Sequence, residues 1–351
     1  MMVKRDNIVK IIGAVAVIVA LTGCTDKKAQ YTYNSENIEV LKLDDALSEE
    51  SISVEVIGDI DNNDISGETE EELNEAPAEE SMEETDAEET SDTVGGEGSL
   101  EDDNKVDLIF FMGQSNMAGY GGDASKAPVV SEEEGVEYRV ISDPTKLYPL
   151  IEPFGLHENN PDGLRDDTSA GGKKGSLVSA FVKKYHQETG HKVVAVSASV
   201  GGMAMDLWVA NKFWNDCLAR VSKSKEWLTD NNYTVEHIYL VWFQGESDVS
   251  RLVPVTEYES NFSKFMNSFV EKSVEQIFLI VPARSGTPGD AICDYQENLC
   301  AQDGRYTLGT TLPSQIGPEG FAMDGIHLIQ DSLNKIGDET GHAAAQYTNS
   351  R

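Results

Sequence analysis

From residue 106 onward, the apolar residues of this chain fall into two alternating patterns. The first is a short continuous apolar run, which occurs at residues 106–112, 193–199, 237–243, 276–281 and 306–308. Such runs are typical of strands in a parallel sheet, because helices cover both faces of that sheet. The sequence therefore predicts five strands.

The segments between these strands carry the second pattern, apolar residues three or four positions apart. Leu177, Phe181 and Tyr185 follow this spacing, and Gly190 after them is a typical helix end. The same spacing marks further helices at 214–228, 258–269 and 331–347. Because alternating strands and helices favour a parallel sheet, we expect an α/β fold with three layers, α/β/α, and a five-stranded, mostly parallel sheet.

One long segment interrupts the alternation. Residues 119–175 are rich in Gly, Pro and Asp and follow the first predicted strand closely. Long insertions of this kind often carry function. We expect this one to cover a cleft at the end of the sheet.

The N-terminus has a short apolar run behind basic residues. Lys4 and Arg5 precede the apolar residues 8–21, which is typical of a secretion signal and short for a membrane span. The run ends in Leu21-Thr22-Gly23-Cys24, which resembles the bacterial lipobox, whose cysteine is lipidated. We predict a lipoprotein signal peptide over 1–24 and an anchor through Cys24 on the extracellular face of a bacterial membrane. An ordinary cleaved signal with an incidental cysteine is the alternative.

Charge separates residues 25–104 from the rest of the chain. The 351 residues carry a net charge of −35, and residues 25–104 hold 28 of the 62 acidic residues. Residues 61–103 also nearly lack large apolar side chains, so they cannot bury enough surface to offset chain entropy. We predict a largely disordered acidic tether over 25–104 and a folded domain over 105–351. The acidic balance argues against a nucleic acid partner.

The four cysteines favour neither a disulfide framework nor a metal site. Besides Cys24 the chain has Cys217, Cys293 and Cys300. The last two would lie within one helix, which disfavours their pairing without deciding it. The sequence has no Cys-x-x-Cys motif and no His/Cys cluster. We therefore expect no metal and no organic cofactor.

The first predicted strand leads into a turn that carries a single serine. Gly113 allows a sharp turn, Ser115 follows it, and Gly119, Gly121 and Gly122 keep the next loop open. Because α/β sheets bind ligands at the C-terminal ends of their strands, Ser115 lies where a nucleophile would be useful. Serine is also a favoured helix cap, so this segment alone supports both interpretations equally.

A serine needs a base to become a nucleophile, and the C-terminal part of the chain supplies one. Asp324 and His327 lie three residues apart across Gly325, so a turn can place their side chains together. Histidine is the usual base near neutral pH, and an acid fixes its tautomer. By itself an Asp-x-x-His segment is more often a surface turn. It gains weight only together with Ser115.

Two further strand ends carry groups that can stabilise an oxyanion. Gly201 and Gly202 follow the second predicted strand, where a backbone N–H can approach an oxyanion closely. Gln244 follows the third strand, within Gln244-Gly245-Glu246-Ser247-Asp248, and offers a side-chain amide. Because parallel strands end at one edge of the sheet, we expect a single cleft to gather these segments.

Taken together, these segments resemble the ordered motifs of a known family. Gly113-Gln114-Ser115-Asn116-Met117, Gly201-Gly202, Gln244-Gly245-Glu246-Ser247-Asp248 and Asp324-Gly325-Ile326-His327 are similar to those of the sialate O-acetylesterase and acetylxylan esterase branch of the SGNH hydrolases. The resemblance covers essentially all of 105–345. It implies a flavodoxin-like three-layer fold and hydrolysis of acetyl esters on sugars.

The resemblance also implies roles for individual residues. Ser115 would be the nucleophile, His327 the base and Asp324 its orienting acid, with Glu246 as a rival or supporting acid. The oxyanion hole would use the N–H groups of Ser115 and of Gly201 or Gly202, together with the amide of Gln244. The candidate substrate contacts are Gln114, Asn116, Trp208 and Gln296. For Trp208, a stacking wall for a sugar ring and a core position are equally supported.

The sequence thus predicts a lipid-anchored, cell-surface serine esterase that removes O-acetyl groups from a carbohydrate through an acyl-enzyme. A glycan-binding lipoprotein without turnover and an esterase acting on a non-sugar ester are the alternatives. A phosphate-binding loop at 113–122 is disfavoured, because the chain lacks both Gly-rich nucleotide-binding patterns. Acetylated xylan, O-acetylated sialic acid and other glycans are not distinguished by the sequence.

Overall fold

The computed structural model describes residues 104–156, 158 and 172–351, and four short strands before them. These strands are β1 (Val17–Val19), β2 (Tyr31–Asn34), β3 (Asn37–Val40) and β4 (Val54–Val56), and β1 pairs with β4 and β2 with β3, both antiparallel. Cys24 and residues 57–103 of the predicted tether lie outside the described residues. The boundaries of the signal peptide and the tether therefore stay predictions.

A seven-stranded sheet forms the centre of the described domain. Its strands lie in the order β11-β10-β9-β5-β8-β6-β7, and every neighbouring pair is parallel except β6 with β7. The prediction of an α/β fold with a mostly parallel sheet is confirmed. The strands are β5 (Lys105–Gly113), β6 (Gly135–Tyr138), β7 (Leu147–Pro149), β8 (Val193–Ser199), β9 (Thr234–Phe243), β10 (Gln276–Ile280) and β11 (Tyr306–Thr310).

The prediction of five strands is too low by two, and both additional strands lie in the 119–175 insertion. β6 pairs with β8, and β7 pairs with β6 at the edge of the sheet. With four and three residues, these strands are too short to show a continuous apolar run. This part of the insertion therefore extends the sheet rather than covering a cleft.

Helices cover both faces of the sheet. They are α1 (Ser115–Ala118), α2 (Val178–Thr189), α3 (Met205–Trp208), α4 (Asn211–Asp230), α5 (Glu246–Arg251), α6 (Val255–Val270), α7 (Ala291–Gln302) and α8 (Gln330–Asn349). The long helices α2, α4, α6 and α8 confirm the predicted spacing. Within the described part of the chain, no helix combines the length and the apolar character that a membrane span needs.

The central strand β5 divides the core into two apolar layers. Leu108 and Phe110 belong to one buried cluster, together with residues of α4 and α6. Ile109 and Phe111 belong to the other, together with residues of α2 and α8. Alternate side chains of a strand point to opposite faces, so this division gives the predicted three layers.

The cysteines of the described domain are free. Cys217 and Cys293 are buried, and Cys300 is half-buried. Cys293 and Cys300 both lie in α7 and do not pair, as their spacing suggested.

Candidate active site

Ser115 lies at the point where the ends of three parallel strands meet. The carbonyl oxygen of Phe243, the last residue of β9, accepts from the N–H of Gln114 over 3.0 Å, and that of Gly113 accepts from the N–H of Val200 over 2.9 Å. A Cβ at Gly113, where φ is +149°, would lie 2.0 Å from Phe243 O. Only glycine allows this close approach. The turn therefore places Ser115 directly above the sheet.

Ser115 is the first residue of α1, and the cap position before it is Gln114. The alternative interpretation of Ser115 as a helix cap is therefore wrong. Its side chain is almost completely buried, with 5% of the residue exposed. The side chain of Ser115 is therefore largely shielded from solvent.

Asp324 and His327 are in direct contact within a turn that is held by hydrogen bonds to the Asp324 carboxylate. Oδ2 of Asp324 lies 2.7 Å from Nδ1 of His327, and Oδ1 accepts from the N–H groups of Ile326 and His327, both over 2.9 Å. These hydrogen bonds, led by that from the His327 backbone, lower the pKa of Asp324 to about 2. The carboxylate is therefore ionised at neutral pH and holds one face of the imidazole.

Asn116 joins this turn to the loop of Ser115. Its carbonyl oxygen Oδ1 accepts from the backbone N–H of Leu328 over 3.0 Å. Tyr120 adds a second contact, since its ring lies 5.6 Å from the ring of His327 between centroids. Asn116, which follows Ser115, is thus hydrogen-bonded to Leu328, which follows His327. The sequence offered Asn116 as a substrate contact and gave no signal for this bridging position.

Glu246 contacts Asn116, whereas the carboxylate in contact with His327 is that of Asp324. The amide of Asn116 donates to Oε1 of Glu246 over 2.9 Å. Oε2 of Glu246 is buried and has no hydrogen-bond partner among the described residues. Burial raises the pKa of Glu246 to about 7. Glu246 is therefore placed to support the serine loop from beneath.

Gly201 and Gly202 differ in their surroundings. A Cβ at Gly201 would lie 2.6 Å from the Tyr120 ring, so this glycine packs against the loop that follows Ser115. Gly202 has a φ of +73° and open space around it. Of the two predicted oxyanion donors, Gly201 is the one beside the serine loop.

Gln244 is a correction to the predicted oxyanion hole. Its side chain is completely buried, and Nε2 donates to Met203 O over 3.0 Å and to Asp248 Oδ2 over 2.5 Å. Its Oε1 accepts from the hydroxyl of Tyr258 over 3.1 Å. Both amide hydrogens are used inside the protein, which leaves none for an oxyanion. Gln244 instead ties the loop after β8 to α5.

Asp248 shares this task, and its role was not predicted. Its two carboxylate oxygens accept from the N–H of Met205 over 3.0 and 3.1 Å, at the start of α3. Burial raises the pKa of Asp248 to about 6. Asp248 and Gln244 lie four residues apart at the start of α5, and together they fix the loop that carries Gly201.

Two of the predicted substrate contacts lie in the core. Trp208 is 1% exposed and packs its ring against Trp242 and Phe265, at centroid distances of 5.3 and 5.9 Å. Gln296 is fully buried, and its Nε2 donates to Gln244 O over 2.9 Å. Neither side chain can touch a sugar at the surface. Both predictions are therefore wrong.

Gln114 is also nearly buried, with 3% of the residue exposed. Its Oε1 accepts from the N–H of Ser247 over 3.2 Å, which braces the serine loop against α5. Sequence reasoning missed two exposed residues at the same edge, Met323 and Ile326, which flank Asp324 and His327 with relative exposures of 106% and 61%. They give the rim of the site an apolar character.

One group in the described part of the chain has the ligand spacing of a metal site, although none was expected. Asp107, His191 and His237 bring one potential ligand atom each to within 4.8 Å of one another. Asp107 lies at the start of β5, so this group is at the opposite end of the strand from Ser115. No sequence motif indicated it, because the three residues come from separate segments.

The described domain matches a family model. The model described as carbohydrate esterase, sialic acid-specific acetylesterase matches residues 105–346, from β5 to α8. No curated protein sequence matches the chain.

The chain is also similar to several solved structures. A protein from Arabidopsis thaliana is 17% identical, with 71% of this chain and 98% of that chain covered and a TM-score of 0.48. A carbohydrate acetylesterase from Xanthomonas citri is 15% identical, with 70% and 57% covered and a TM-score of 0.43. An acetylxylan esterase from Geobacillus stearothermophilus is 12% identical, with 68% and 94% covered and a TM-score of 0.38.

Proposed function

The chain belongs to the sialic acid-specific acetylesterase family of carbohydrate esterases, and from this premise we propose that it removes O-acetyl groups from a glycan through an acyl-enzyme on Ser115. One observation carries the assignment of residues. The turn in which Asp324 contacts His327 is bound by Asn116, the residue next to Ser115. This link supports the proposal that Ser115, His327 and Asp324 act together as nucleophile, base and acid.

Asp324 and His327 prepare the serine for attack. Because Asp324 is ionised, it accepts the Nδ1 proton of His327 and leaves Nε2 free to act as the base. Nε2 takes the proton from the Ser115 hydroxyl while its oxygen attacks the acetyl carbonyl carbon. The acid also stabilises the imidazolium that forms in this step.

The N–H groups of Ser115 and Gly201 stabilise the negative charge on the carbonyl oxygen. Ser115 is the first residue of a helix, where N–H groups lack partners within the helix. Gly201 lies against the serine loop through Tyr120. Two backbone donors suffice to form an oxyanion hole, and fixed donors of this kind supply a large part of the rate enhancement of acyl transfer. Gln244 is not needed for it.

The attack gives a tetrahedral intermediate, and the reaction is completed in two stages from it. The first forms the acetylated enzyme, and the second hydrolyses it. The bond between the acyl carbon and the sugar oxygen breaks, and His327 gives its proton to that oxygen, so the deacetylated sugar leaves. Water next attacks the acetyl group on Ser115, with His327 again taking a proton. The bond to Ser115 breaks, the serine regains its proton, and acetate is released.

We also propose that the enzyme works on the outer side of a bacterial membrane. The segment Leu21-Thr22-Gly23-Cys24 supports lipidation of Cys24, and the acidic residues after it support an extended tether over 25–104. A lipid anchor and a charged tether would hold the esterase domain, residues 105–351, near glycans of the cell surface.

A non-sugar ester is the second candidate substrate, and one observation favours it. Met323 and Ile326 expose apolar side chains beside Asp324 and His327. Exposed apolar residues at the rim of a site suit an acyl chain or an apolar leaving group as well as the face of a sugar. Comparing acetate with longer acyl esters separates the two candidates.

The test is hydrolysis by the full chain and three variants. Wild-type protein should release p-nitrophenol from p-nitrophenyl acetate and acetate from at least one of acetylxylan, O-acetylated sialic acid and acetylated peptidoglycan. Ser115→Ala and His327→Ala should lose this activity, while Ser222→Ala, a change at an exposed serine on α4, should keep it. A fluorophosphonate should label Ser115, as read by peptide mass spectrometry. Inactivity of the wild type on every acetate ester would overturn the proposal.

A further inference from the structure

A second cluster of chemically active side chains lies at the end of the sheet away from Ser115. Asp107 on β5 is in register with His237 on β9, so their side chains lie on the same face. His191 belongs to the turn between α2 and β8, and Lys192 O in that turn accepts from the Asp107 N–H over 2.9 Å. Three separate segments therefore meet at Asp107.

Potential ligand atoms of the three side chains lie close to one another. The rings of His191 and His237 are parallel within 4°, with centroids 5.9 Å apart. Nδ1 of His191 lies 2.8 Å from Asp107 Oδ2. One ligand atom from each of the three residues lies within 4.8 Å of the others. Tetrahedral zinc ligands at about 2.0 Å from the metal are roughly 3.3 Å apart, a spacing within reach of a rotation of the histidine side chains.

The carboxylate of Asp107 has an unused binding capacity. Asp107 is completely buried, and its Oδ1 has no hydrogen-bond partner in the part of the chain that the structure describes. Its Oδ2 accepts from Tyr185 over 2.5 Å in addition to the contact with His191. A buried carboxylate oxygen without a partner is costly, and a cation beside it would remove that cost.

We propose that Asp107, His191 and His237 bind one divalent transition metal ion with the preferences of Zn²⁺. Two imidazole nitrogens and one carboxylate oxygen are a donor set that zinc accepts. The side chains of His191 and His237 are 30% and 22% exposed, so water reaches the site and supplies the remaining ligand. The hydroxyl of Tyr185 would hold the liganding carboxylate in place, as residues around metal ligands commonly do.

This ion would have a structural role. Asp107 and Ser115 are eight positions apart, which places them on the order of 25 Å apart along an extended strand. The metal would tie β5, β9 and the turn before β8 together at one end of the sheet, while the ester chemistry takes place at the other end. Binding should therefore raise thermal stability and leave the reaction itself unchanged.

The test is metal binding by the full, untagged chain. After treatment with a chelator, the protein is dialysed against Zn²⁺, and the bound metal is measured by mass spectrometry. His191→Gln and His237→Gln are compared with the wild type and with His342→Gln, whose ring contacts Glu188 on the surface. Any metal held by the acidic residues before 105 is common to all four proteins, so the difference between them reports the site.

The expected result is one Zn²⁺ per chain above this background in the wild type and in His342→Gln. His191→Gln and His237→Gln should bind at least about 10-fold more weakly. Co²⁺ should give the wild type visible absorption bands typical of a four-coordinate site, a readout that does not depend on the variants folding. Equal zinc uptake by all four proteins, or a wild type without a cobalt spectrum, would overturn the proposal. Either result would show that Asp107, His191 and His237 are joined by hydrogen bonds without a metal ion.

Discussion

Asn116 donates its side-chain amide to the buried carboxyl of Glu246 over 2.9 Å. Glu246 is thereby fixed against the serine loop, although its Oε2 is buried where a charge is poorly solvated. The consequence is a carboxyl group whose protonation matters for the stability of the fold.

The wild-type protein should lose stability as the pH rises and Glu246 loses its proton. We predict that Glu246→Gln abolishes this pH-dependent loss. Burial raises the pKa of Glu246 from 4.5 to about 7. The folded protein therefore binds this proton more tightly than the unfolded chain does. The resulting stabilisation is complete below pH 4.5 and is lost as the pH rises through about 7. That loss amounts to roughly 3 kcal/mol, at about 1.4 kcal/mol per pKa unit.

Urea unfolding at several values between pH 5 and pH 8 measures this effect. The variant should gain stability relative to the wild type as the pH rises, while Glu132→Gln, a change at an exposed glutamate, should follow the wild type throughout. Parallel curves for the wild type and Glu246→Gln would show that Glu246 does not titrate in this range.

We predict that Asp324→Asn lowers kcat/KM by about 10³-fold or more on p-nitrophenyl acetate, with little change in the fold. The asparagine cannot hold the Nδ1 proton of His327 in the same way, so the wrong tautomer is favoured. The pKa of Asp324 is about 2. An acid limb of the pH–rate profile above about pH 4 therefore cannot come from this carboxyl.

Circular dichroism at 25 °C controls for the fold in this experiment. Glu246→Gln is the matched comparison, because it also removes one carboxylate near the serine loop but leaves the contact of Asp324 with His327 intact. If Glu246→Gln were the more damaging change to kcat at pH 7, the assignment of Asp324 as the orienting acid would be wrong.

An element can be predicted from the sequence when its buried residues form an apolar pattern long enough to recognise. Strand β5 and helix α6 present long apolar patterns, since they are buried on both faces or along a full stripe. β6 and β7 have only four and three residues, too few for a continuous apolar run, and only the pairing of β6 with β8 and of β7 with β6 reveals them. Length therefore decides which elements the sequence predicts.

For the site, the sequence predicts which residues gather but not which atoms remain free. Ser115, Gly201 and Gln244 all follow strand ends, and parallel strands bring such ends together whatever the side chains do. Whether Gln244 offers its amide to a ligand depends on Met203 O and Asp248, which the chain places beside it only when folded. The same holds for Trp208, because the sequence does not distinguish an aromatic residue in the core from one that lines a sugar-binding site.

We predict that Trp208→Phe leaves KM for an acetylated glycan unchanged, while Trp208→Ala lowers stability by about 3–5 kcal/mol. The ring of Trp208 packs among Trp242, Phe265 and Phe213, and truncation would leave a cavity there. Steady-state kinetics below the unfolding temperature and urea unfolding give the two readouts. A KM raised severalfold in Trp208→Phe at unchanged stability would place the ring against substrate after all.

We predict that Gln244→Ala acts mainly on stability. Removal of the amide takes the side-chain donor from the buried Met203 O and leaves Asp248 Oδ2 with only the N–H of Met205, at a cost of about 2–4 kcal/mol. The folded fraction should keep kcat within about tenfold of the wild type, since the oxyanion donors are backbone N–H groups. An amide that bound the oxyanion directly would cost about 10²–10³-fold in kcat without such a loss of stability.

The decisive measurement for Gln244 is kcat per folded molecule, with the folded fraction taken from an unfolding curve under the same conditions. Gln302→Ala, a change at the exposed last residue of α7, is the control for replacing a glutamine and should alter neither quantity. A stable Gln244→Ala protein with kcat reduced by two or more orders of magnitude would restore Gln244 to the oxyanion hole. The hydrogen bond from Gln244 to Asp248 would then have to open during the reaction.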